Sequence, residues 1–350
     1  MTQMIIPFFI GYQGCPNRCI YCNVHKTAGN FSERITEDTF QKMVHKYLDH
    51  PKRKADSAEI AFYGGNFTGM AIDYQAELLG FASRFTEKKL VHGVRISTRP
   101  DTINKETLDI MKRFGVTTVE IGAQSMVDEV LYLSNRGHGA SDVSAAMEML
   151  KERGFKTGIH LMAGLPGDSR SGFEYTIAKT IDLKPDMVRI HPTVVLQDTA
   201  LAELFLNGSY HPLSLPEAID MCKYALRRLG EADILVIRVG LQTTREMEMA
   251  GSIIAGPYHP AFRSLVEESM FFDMASAMLA DRKISEQEVI FSLSPKDVSF
   301  FLGHHNKNVQ TLKELFRLTG IDIAVDPVQG RGSLAMIVDD TKSITGRSRH

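Results

Sequence analysis

The sequence GYQGCPNRCIYCN, residues 11–23, carries three of the four cysteines of this chain. It follows Met4–Ile10, MIIPFFI, a short apolar run with the composition of a buried β-strand. Cys15, Cys19 and Cys22 are spaced C-x3-C-x2-C, and the glycine and proline beside them favour a tight turn. The sequence therefore predicts three thiols on one loop directly after the first strand.

Outward from this loop, strand-like runs alternate with helix-like stretches through the first 240 residues. Apolar residues in the helix-like stretches recur at helical spacing, as Leu108, Met111 and Phe114 do. Repeated βα units build parallel sheets, and six or more units favour a barrel or a partial barrel. The predicted strands are Met4–Ile10, Glu59–Tyr63, Gly93–Ser97, Thr117–Ile121, Lys156–Leu161 and Met187–His191, with Ile234–Arg238 either a seventh strand or a cap.

These patterns predict an α/β protein with two parts. Residues 1–240 are expected to form a partial (β/α)6-type parallel barrel. Residues 241–284, with a helix over Ala261–Ala280, connect it to a small α+β domain over residues 285–340. The polar residues 341–350 are predicted to be a mobile tail.

Glycine-rich and polar segments follow the predicted strands. They are GGNFTG (Gly64–Gly69), TRPD (Thr98–Asp101), GAQS (Gly122–Ser125) and MAGLPGD (Met162–Asp168). The carboxyl ends of parallel barrel strands meet at one rim. We therefore expect these loops and the cysteine loop to build one site.

The composition excludes several classes of protein. Hydrophobic residues make up 43% and charged residues 23% of the 350 residues, which is typical of a globular chain. Lys+Arg 40 against Asp+Glu 42 gives a net charge of -2, so the whole chain is not a polybasic coat for nucleic acid. The sequence shows neither a signal-peptide pattern nor a membrane-spanning apolar run, so we expect no membrane partner. Clustered cysteines indicate a reducing compartment, the cytoplasm.

The cysteine loop is suited to an iron–sulfur cluster. Three thiolates can hold three irons of a [4Fe–4S] cluster and leave the fourth iron open to a small molecule. S-adenosylmethionine (SAM) offers suitable amino and carboxylate groups, and Tyr21 would lie against its adenine. The alternative is a structural zinc site of the Cys3His type, with His25 as the fourth ligand. Cys222, in an apolar helical pattern, is expected to be an inert core residue.

Six ordered motifs resemble the radical SAM superfamily, and most closely the radical SAM core of the Elongator catalytic subunit family. The resemblance covers about Ile6 to Asp168 and implies a [4Fe–4S] cluster at the three cysteines, SAM as cofactor, and radical chemistry on an unidentified substrate. That family adds an acetyltransferase domain, whereas the chain after Gly240 shows no evident acyl-CoA phosphate loop. Only the cluster, SAM and radical initiation are therefore implied. The motifs are GCPNRCIYC, FYGGNFT, TRPD, VEIGAQS, SNRGH and GIHLMAGLPG.

The resemblance also implies roles for residues at matching positions. Gly64, Gly65 and Asn66 match the segment that binds the amino group of SAM, and many relatives carry Glu in place of Asn66. Gln124 matches a polar residue that faces SAM, and Arg136 matches a basic residue near its carboxylate. The loop beside the adenine is matched by Gly164, Leu165 and Pro166.

Four other polar residues near the strand ends have simpler structural interpretations. Arg99 and Asp101 are interpreted as a surface pair or a helix cap. His160 and His191 are interpreted as satisfied core histidines. Only their occurrence together with the motifs favours a functional role.

The C-terminal segment Phe300–Val338 resembles an RNA-binding KH module, in which a glycine-rich turn opens a helix and clamps a nucleic-acid backbone. Gly303 supplies one glycine of that turn, whereas Asn306 replaces the second. The alternative is a small packing domain against the barrel. The expected partners are an unidentified substrate, with tRNA at the C-terminal domain as a candidate, and an external electron donor. The alternative function is a non-catalytic Fe–S and SAM-binding protein, such as a cofactor chaperone.

Overall fold

The computed structural model describes residues 3–11, 13–23, 34–50, 57–241, 247, 249–338 and 341–346. The strands of its first part are β1 (Gln3–Phe9), β2 (Ser57–Tyr63), β3 (Gly93–Thr98), β4 (Val116–Gln124), β5 (Lys156–Ala163), β6 (Met187–Pro192), β7 (Val195–Leu196), β8 (Leu235–Val239) and β9 (Ile253–Ala255). Seven of them form a parallel sheet in the order β1-β2-β3-β4-β5-β6-β8, and β7 pairs with β9. The predicted α/β partial barrel is confirmed, and the run Ile234–Arg238 supplies its last strand.

Helices lie between consecutive strands of this sheet. Polar side chains begin several of them: Oγ1 of Thr36 accepts a hydrogen bond from the N–H of Thr39, and Asn104 and Thr107 form a capping box. Within the described residues, the structure contains no helix with the length and apolar composition needed to cross a membrane. The helices of this part are α1 (Glu37–Leu48), α2 (Ile72–Glu87), α3 (Lys105–Arg113), α4 (Asp128–Leu133), α5 (Ala140–Glu152), α6 (Arg170–Asp182), α7 (Ala200–Leu206), α8 (Leu215–Glu231) and α9 (Phe262–Asp281).

Alternate residues of the strands point to opposite faces of the sheet. One face carries apolar side chains such as Ile60, Phe62 and Val119, which are fully buried in a large hydrophobic core. The other face carries charged side chains, and Arg95 on β3 pairs there with Glu120 on β4. The interior face of the barrel is therefore polar, although it is also buried.

The C-terminal part is a second sheet, with strands β10 (Glu288–Leu293), β11 (Gly320–Val325), β12 (Ser333–Val338) and β13 (Thr341–Gly346), and with helices α10 (Val298–Leu302) and α11 (Lys307–Phe316). The strand order is β11-β10-β12-β13, with β10 parallel to β11 and antiparallel to β12. The predicted α+β character is confirmed, whereas helix α10 was not predicted. Helix α9 joins the two parts, because Phe262 lies in the barrel core and Phe271 in the C-terminal core. The exact domain divisions stay predictions.

Residues 341–346 form the last strand, β13, and not the mobile tail that the sequence predicts. Thr341–Gly346 pair antiparallel with β12, and Ile344 lies opposite Ala335. Alternating Thr and Ser residues favour such an extended edge strand, although the polarity of these residues is equally typical of a tail. Residues 347–350 lie outside the described residues.

Candidate iron–sulfur and cofactor site

The cysteine loop is fastened to the SNRGH segment that follows α4. The N–H of Ile20 donates to the carbonyl oxygen of Ser134 at 3.2 Å. Nδ2 of Asn135 donates to the carbonyl oxygen of Arg18 at 2.8 Å, across 117 positions of the sequence. Two motifs that are distant in the chain are therefore adjacent in the fold.

The three cysteines of this loop differ in exposure. Cys15 is exposed, and Cys19 and Cys22 are partly buried. Burial raises the pKa of Cys22 to about 12, and the neighbouring Cys19 and Cys15 contribute to this increase. Partial desolvation of its thiol also raises the pKa of Cys15 despite the exposure of the residue, although Arg99 and Arg136 oppose the change. Thiolate formation here would need a metal that competes with the proton.

The loop after β2 packs directly against the cysteine loop. Gly14 has a φ of +74°, and a Cβ added there would lie 2.1 Å from the carbonyl oxygen of Asn66. A Cβ added to Gly65 would lie 2.3 Å from the carbonyl oxygen of Gly11. Only glycine fits at these close approaches. Gly64 and Gly65 thus lie beside the cysteine loop, and their contact with the amino group of SAM stays a prediction.

Asn66 is fully buried and uses every polar atom of its side chain. Nδ2 donates to the carbonyl oxygen of Gly14 at 2.6 Å. Oδ1 accepts from Oγ1 of Thr98 at 2.7 Å, from the N–H of Arg99 at 3.0 Å and from Oγ1 of Thr102 at 2.9 Å. Its role as an acceptor for the amino group of SAM stays a prediction, and one of these donors would have to be displaced.

Arg136 is buried behind the cysteine loop, with 5% of its surface exposed. Nη1 donates to Sγ of Cys19 at 3.1 Å and to the hydroxyl of Tyr21 at 3.2 Å. Nη2 donates to the carbonyl oxygen of Gly122 at 2.5 Å, and Nε donates to Nε2 of His138 at 3.2 Å. Burial alone would lower the pKa of Arg136, but Tyr21 and Cys19 hold it above its ordinary value. The predicted contact with the SAM carboxylate stays a prediction.

A second guanidinium lies close to this region. Nε and Nη2 of Arg99 donate to the carboxylate of Asp101 at 2.9 and 2.8 Å. The side chain of Arg99 is 5% exposed, and its Nη1 is buried without a hydrogen-bond partner in the structure. The interpretation of Arg99 as part of a surface pair is therefore wrong, because its guanidinium is inside the protein.

The loop predicted to lie beside the adenine is held by Tyr210. Its hydroxyl donates to the carbonyl oxygen of Gly164 at 2.6 Å, and the N–H of Gly164 donates to Oδ2 of Asp168 at 3.1 Å. The Tyr21 ring packs against the same small core that contains Tyr210. The structure thus brings the two predicted adenine neighbours to the same side of the site. Contacts with the adenine stay predictions for all four residues, Tyr21, Gly164, Leu165 and Pro166.

A network of buried charges lines the barrel interior. Arg95 donates to Oε2 of Glu59 at 2.8 Å and to Oε1 of Glu120 at 2.7 Å. Arg189 donates to Oε2 of Glu120 at 2.5 Å and to the hydroxyl of Tyr63 at 2.9 Å. Four strands are joined in this way. Burial alone would raise the pKa of Glu120, but Arg189 and Arg95 hold it below its ordinary value.

Buried polar atoms without a hydrogen-bond partner collect near the carboxyl ends of β4, β5 and β6. They include Oε1 of Gln124, Nε2 of His160 and of His191, and Oγ1 of Thr193. The two imidazole rings meet edge to face, with centroids 4.3 Å apart. Burial lowers the pKa of His160 to about 4 and that of His191 well below its ordinary value, so both rings are neutral. They are not satisfied core histidines, and such unpartnered groups are typical of ligand sites.

The donor set fits an iron–sulfur cluster. Three thiols share one loop, and a buried guanidinium donates to one of them. Unpartnered polar atoms at the strand ends offer hydrogen bonds to a polar cofactor. Among the described residues, His, Cys, Asp and Glu side chains form no group of three or more that could hold a metal ion, so the fit rests on the chemistry of the three thiols and not on their relative placement. The fourth ligand of the zinc alternative, His25, lies outside the described residues.

The turn predicted to contact RNA joins α10 to α11. Gly303 has a φ of +69°, and His305 and Asn306 also adopt left-handed conformations, at +52° and +61°. Residues 304–307 are exposed. One acidic side chain lies beside them, because the N–H of His304 donates to Oε2 of Glu268 at 3.2 Å.

Comparison with known proteins identifies the family. The family model of the radical SAM superfamily matches residues 9–179, and that of the radical SAM C-terminal domain matches residues 185–271. The chain is 30% identical over 225 residues to an uncharacterized protein of Methanocaldococcus jannaschii, covering 62% of this chain and 69% of that protein. This chain therefore belongs to the radical SAM superfamily.

Within this superfamily the relatives are of the Elongator type. The tRNA uridine(34) acetyltransferase of Methanocaldococcus infernus is 34% identical over 199 residues, which are 51% of this chain and 36% of that protein. The solved structure of archaeal Elp3 from the same organism superposes with a TM-score of 0.58 at 25% identity, covering 77% of this chain and 62% of that one. The chain thus matches about a third of the length of the acetyltransferase. The resemblance to the Elongator radical SAM core is confirmed.

Sequence reasoning missed two features of the site. The charge network was not predicted, although Glu59, Arg95, Glu120 and Arg189 lie at alternating positions of strand-like runs and could have indicated a polar interior face. The burial of the Arg99 guanidinium was also missed. The position of Arg99 directly after a strand, in a motif shared with the family, could have indicated this burial.

Proposed function

We propose that this chain binds a [4Fe–4S] cluster through Cys15, Cys19 and Cys22 and cleaves SAM reductively to start radical chemistry. The observation that carries the proposal is the arrangement of the cysteine loop. Asn66 holds it on one side, and Arg136 donates to one of its thiols on the other. A loop that carries three thiols and is fixed on both sides is expected of a site preorganised for a cluster.

The chain's own residues would hold and orient both groups. A bound cluster of this kind supplies the electron that cleaves the sulfonium bond of SAM. The SAM contacts proposed from the family are Tyr21, Gly64, Gly65, Asn66, Gln124, Arg136, Gly164, Leu165 and Pro166. A reducing cytoplasm is the compartment that would keep such thiols available, and the electron would come from an external one-electron donor.

Anaerobic reconstitution tests this function. We expect the purified protein to bind iron and sulfide and, with dithionite and SAM, to release 5′-deoxyadenosine. The Cys222→Ala variant should behave like the parent, because Cys222 is fully buried in the apolar core. A colourless protein with one zinc would establish the structural alternative. A fully loaded protein that cleaves no SAM, even with candidate RNA substrates, would favour a cofactor chaperone.

We further propose that the substrate is RNA of the tRNA class, contacted by the turn between α10 and α11. Two observations support this substrate. Two similar proteins, from Methanocaldococcus infernus and Methanocaldococcus jannaschii, are named tRNA uridine(34) acetyltransferase. The turn places Gly303 between two helices, with exposed His304, His305 and Lys307 at the start of α11, where phosphate groups are favoured.

A matched pair of charge reversals tests the RNA contact. Lys307 is the first residue of α11 and Lys105 is the first residue of α3, and both are exposed. Lys307→Glu should weaken tRNA binding and reduce its salt dependence, whereas Lys105→Glu should do neither. Binding that is insensitive to both salt and Lys307→Glu, or that is absent at low salt, would contradict the RNA proposal.

A further inference from the structure

We infer that two buried guanidiniums, those of Arg136 and Arg99, set the reduction potential of the cluster held by the three cysteines. This inference rests on the proposed function, because it concerns the cluster in that site. It assigns to Arg136 a role in holding an electron on the cluster, and it assigns a role to Arg99, which the sequence motifs left as a surface or capping residue.

Arg136 carries a buried positive charge that no carboxylate among its described hydrogen-bond partners balances. Its guanidinium is buried, and its hydrogen-bond partners in the described part of the chain are a thiol, a hydroxyl, a carbonyl oxygen and an imidazole. None of these partners is a carboxylate. The positive charge of Arg136 therefore lacks a paired anion until the thiol of Cys19, 3.1 Å from Nη1, becomes a metal-bound thiolate.

Arg99 has one guanidinium nitrogen, Nη1, that is free to donate a hydrogen bond. Two of its nitrogens are fixed by Asp101, and its backbone N–H donates to Asn66, which also holds Gly14. The orientation of the guanidinium is thus set from both ends. Nη1 remains buried and unpartnered, and Asn66 connects the backbone of Arg99 to Gly14, the residue directly before Cys15. Arg99 therefore offers a donor on the Cys15 side, as Arg136 does on the Cys19 side.

Positive charge near a bound cluster would stabilise its reduced state electrostatically. An oxidised cluster with three thiolate ligands is already an anion, and one-electron reduction adds a further negative charge without breaking a bond. Hydrogen bonds to the sulfurs and nearby positive charge favour the reduced state. Burial strengthens this effect, because the charges are poorly screened by solvent. The electron comes from an external one-electron reductant, which is dithionite in the experiment.

A redox titration of the cluster-loaded protein, without SAM, tests the inference. In Arg136→Gln the reduced-to-oxidised ratio at a fixed potential should fall at least about tenfold, which corresponds to a midpoint lower by about 59 mV. Arg136→Lys should retain most of the parent value because it keeps the charge. Arg153→Gln, which removes an exposed Arg–Asp pair on the barrel surface, should leave the midpoint unchanged.

Two further variants keep the test decisive if Arg136→Gln loads poorly with iron. Arg99→Gln should lower the midpoint, because it leaves Asp101 without its counter-charge. Asp101→Asn should raise it, because it removes a negative charge beside Arg99. Iron content is measured for every variant.

Three results distinguish a failure of the proposed function from a failure of the inference on the reduction potential. A parent protein that takes up no cluster contradicts the proposed function before any variant is compared. Loaded Arg136→Gln and Arg99→Gln variants that titrate at the parent midpoint overturn the inference and leave the proposed function standing. Weakened SAM binding in Arg136→Gln with an unchanged SAM-free midpoint also overturns it, and would assign Arg136 to the SAM carboxylate.

Discussion

The side-chain amide of Asn66 donates to the carbonyl oxygen of Gly14 at 2.6 Å, across 52 positions of the sequence. The same side chain accepts three hydrogen bonds from residues after β3. One buried amide therefore fixes the geometry of the cysteine loop relative to two neighbouring strands. A carboxylate could replace its acceptor oxygen, but not its donor.

Replacement of Asn66 should separate these two functions. Asn66→Ala removes both and should lower the free energy of unfolding by roughly 3–5 kcal/mol, because several buried polar groups lose their partner. Asn66→Asp retains an acceptor for the three donors and loses the bond to Gly14. It should be less destabilised but should bind iron more weakly than the parent.

Urea unfolding of the apoprotein and iron analysis after reconstitution measure the two effects. Gln41→Ala is the control, since Gln41 bonds only to an exposed glutamate of its own helix. Equal stability of parent and Asn66→Ala would show that these hydrogen bonds carry no net stability.

Of the four single cysteine variants, three should lose the cluster iron and one should retain it. Cys15→Ala, Cys19→Ala and Cys22→Ala should each lose most of the cluster iron, because each would remove one of three thiolate ligands. Cys222→Ala should retain it, since burial raises the pKa of that thiol and keeps it protonated. Iron and sulfide content per chain gives the answer, and loss of iron in Cys222→Ala alone would be fatal to the assignment.

The buried charge network should be sensitive to Glu120. Glu120→Gln leaves the guanidiniums of Arg95 and Arg189 without their shared carboxylate, which should cost about 3–5 kcal/mol of unfolding free energy. Glu174→Gln breaks an exposed pair with Arg170 and should cost less than about 1 kcal/mol. Chemical denaturation at pH 7 compares them, and similar losses for both would argue against a special role of burial.

Asp168 should give an unusual pH dependence of stability. Burial raises its pKa to about 6 from an ordinary value of 3.8, although the N–H groups of Gly164 and Ser169 oppose the change. The folded state then binds more protons than the unfolded state between these values. The contribution of Asp168 to stability is therefore complete below about pH 4 and is lost as the pH rises through 6, a change of up to about 3 kcal/mol.

The difference in unfolding free energy between the parent and Asp168→Asn isolates this group. The parent should become less stable relative to Asp168→Asn as the pH rises from 4 to 7. Urea titration of the two apoproteins measures this change. A difference that stays constant over this range would mean that Asp168 ionises normally in the fold.

Local sequence patterns predicted the barrel because its determinants are local. Short apolar runs such as Glu59–Tyr63 and Lys156–Leu161 identify strands, and three cysteines within eight residues identify a ligand loop. The prediction of the six barrel strands required no knowledge of distant partners. The same holds for the α9 helix, predicted over Ala261–Ala280 and observed over Phe262–Asp281.

The remaining features depend on pairs that are distant in sequence. The burial of Arg136 follows from contacts with Cys19 and Gly122, and the burial of the Arg99 guanidinium follows from the packing around it. A pattern of residue types contains no information on which polar atom is left without a partner. Thr341–Gly346 were assigned to the tail for a related reason, since their strand exists only through pairing with β12.

The distance between Cys19 and Arg136 also bears on how the protein is made. The three cysteines are synthesised before Arg136, because the guanidinium that donates to Cys19 is added 117 residues later. At translation rates of roughly 5–20 residues per second, the nascent thiols spend on the order of ten seconds without the residues that surround them in the fold. A cluster delivered early would meet a flexible, unsupported peptide. We therefore expect productive delivery of a cluster only after most of the barrel has left the ribosome. Cluster insertion would then be a late step in the biogenesis of the chain.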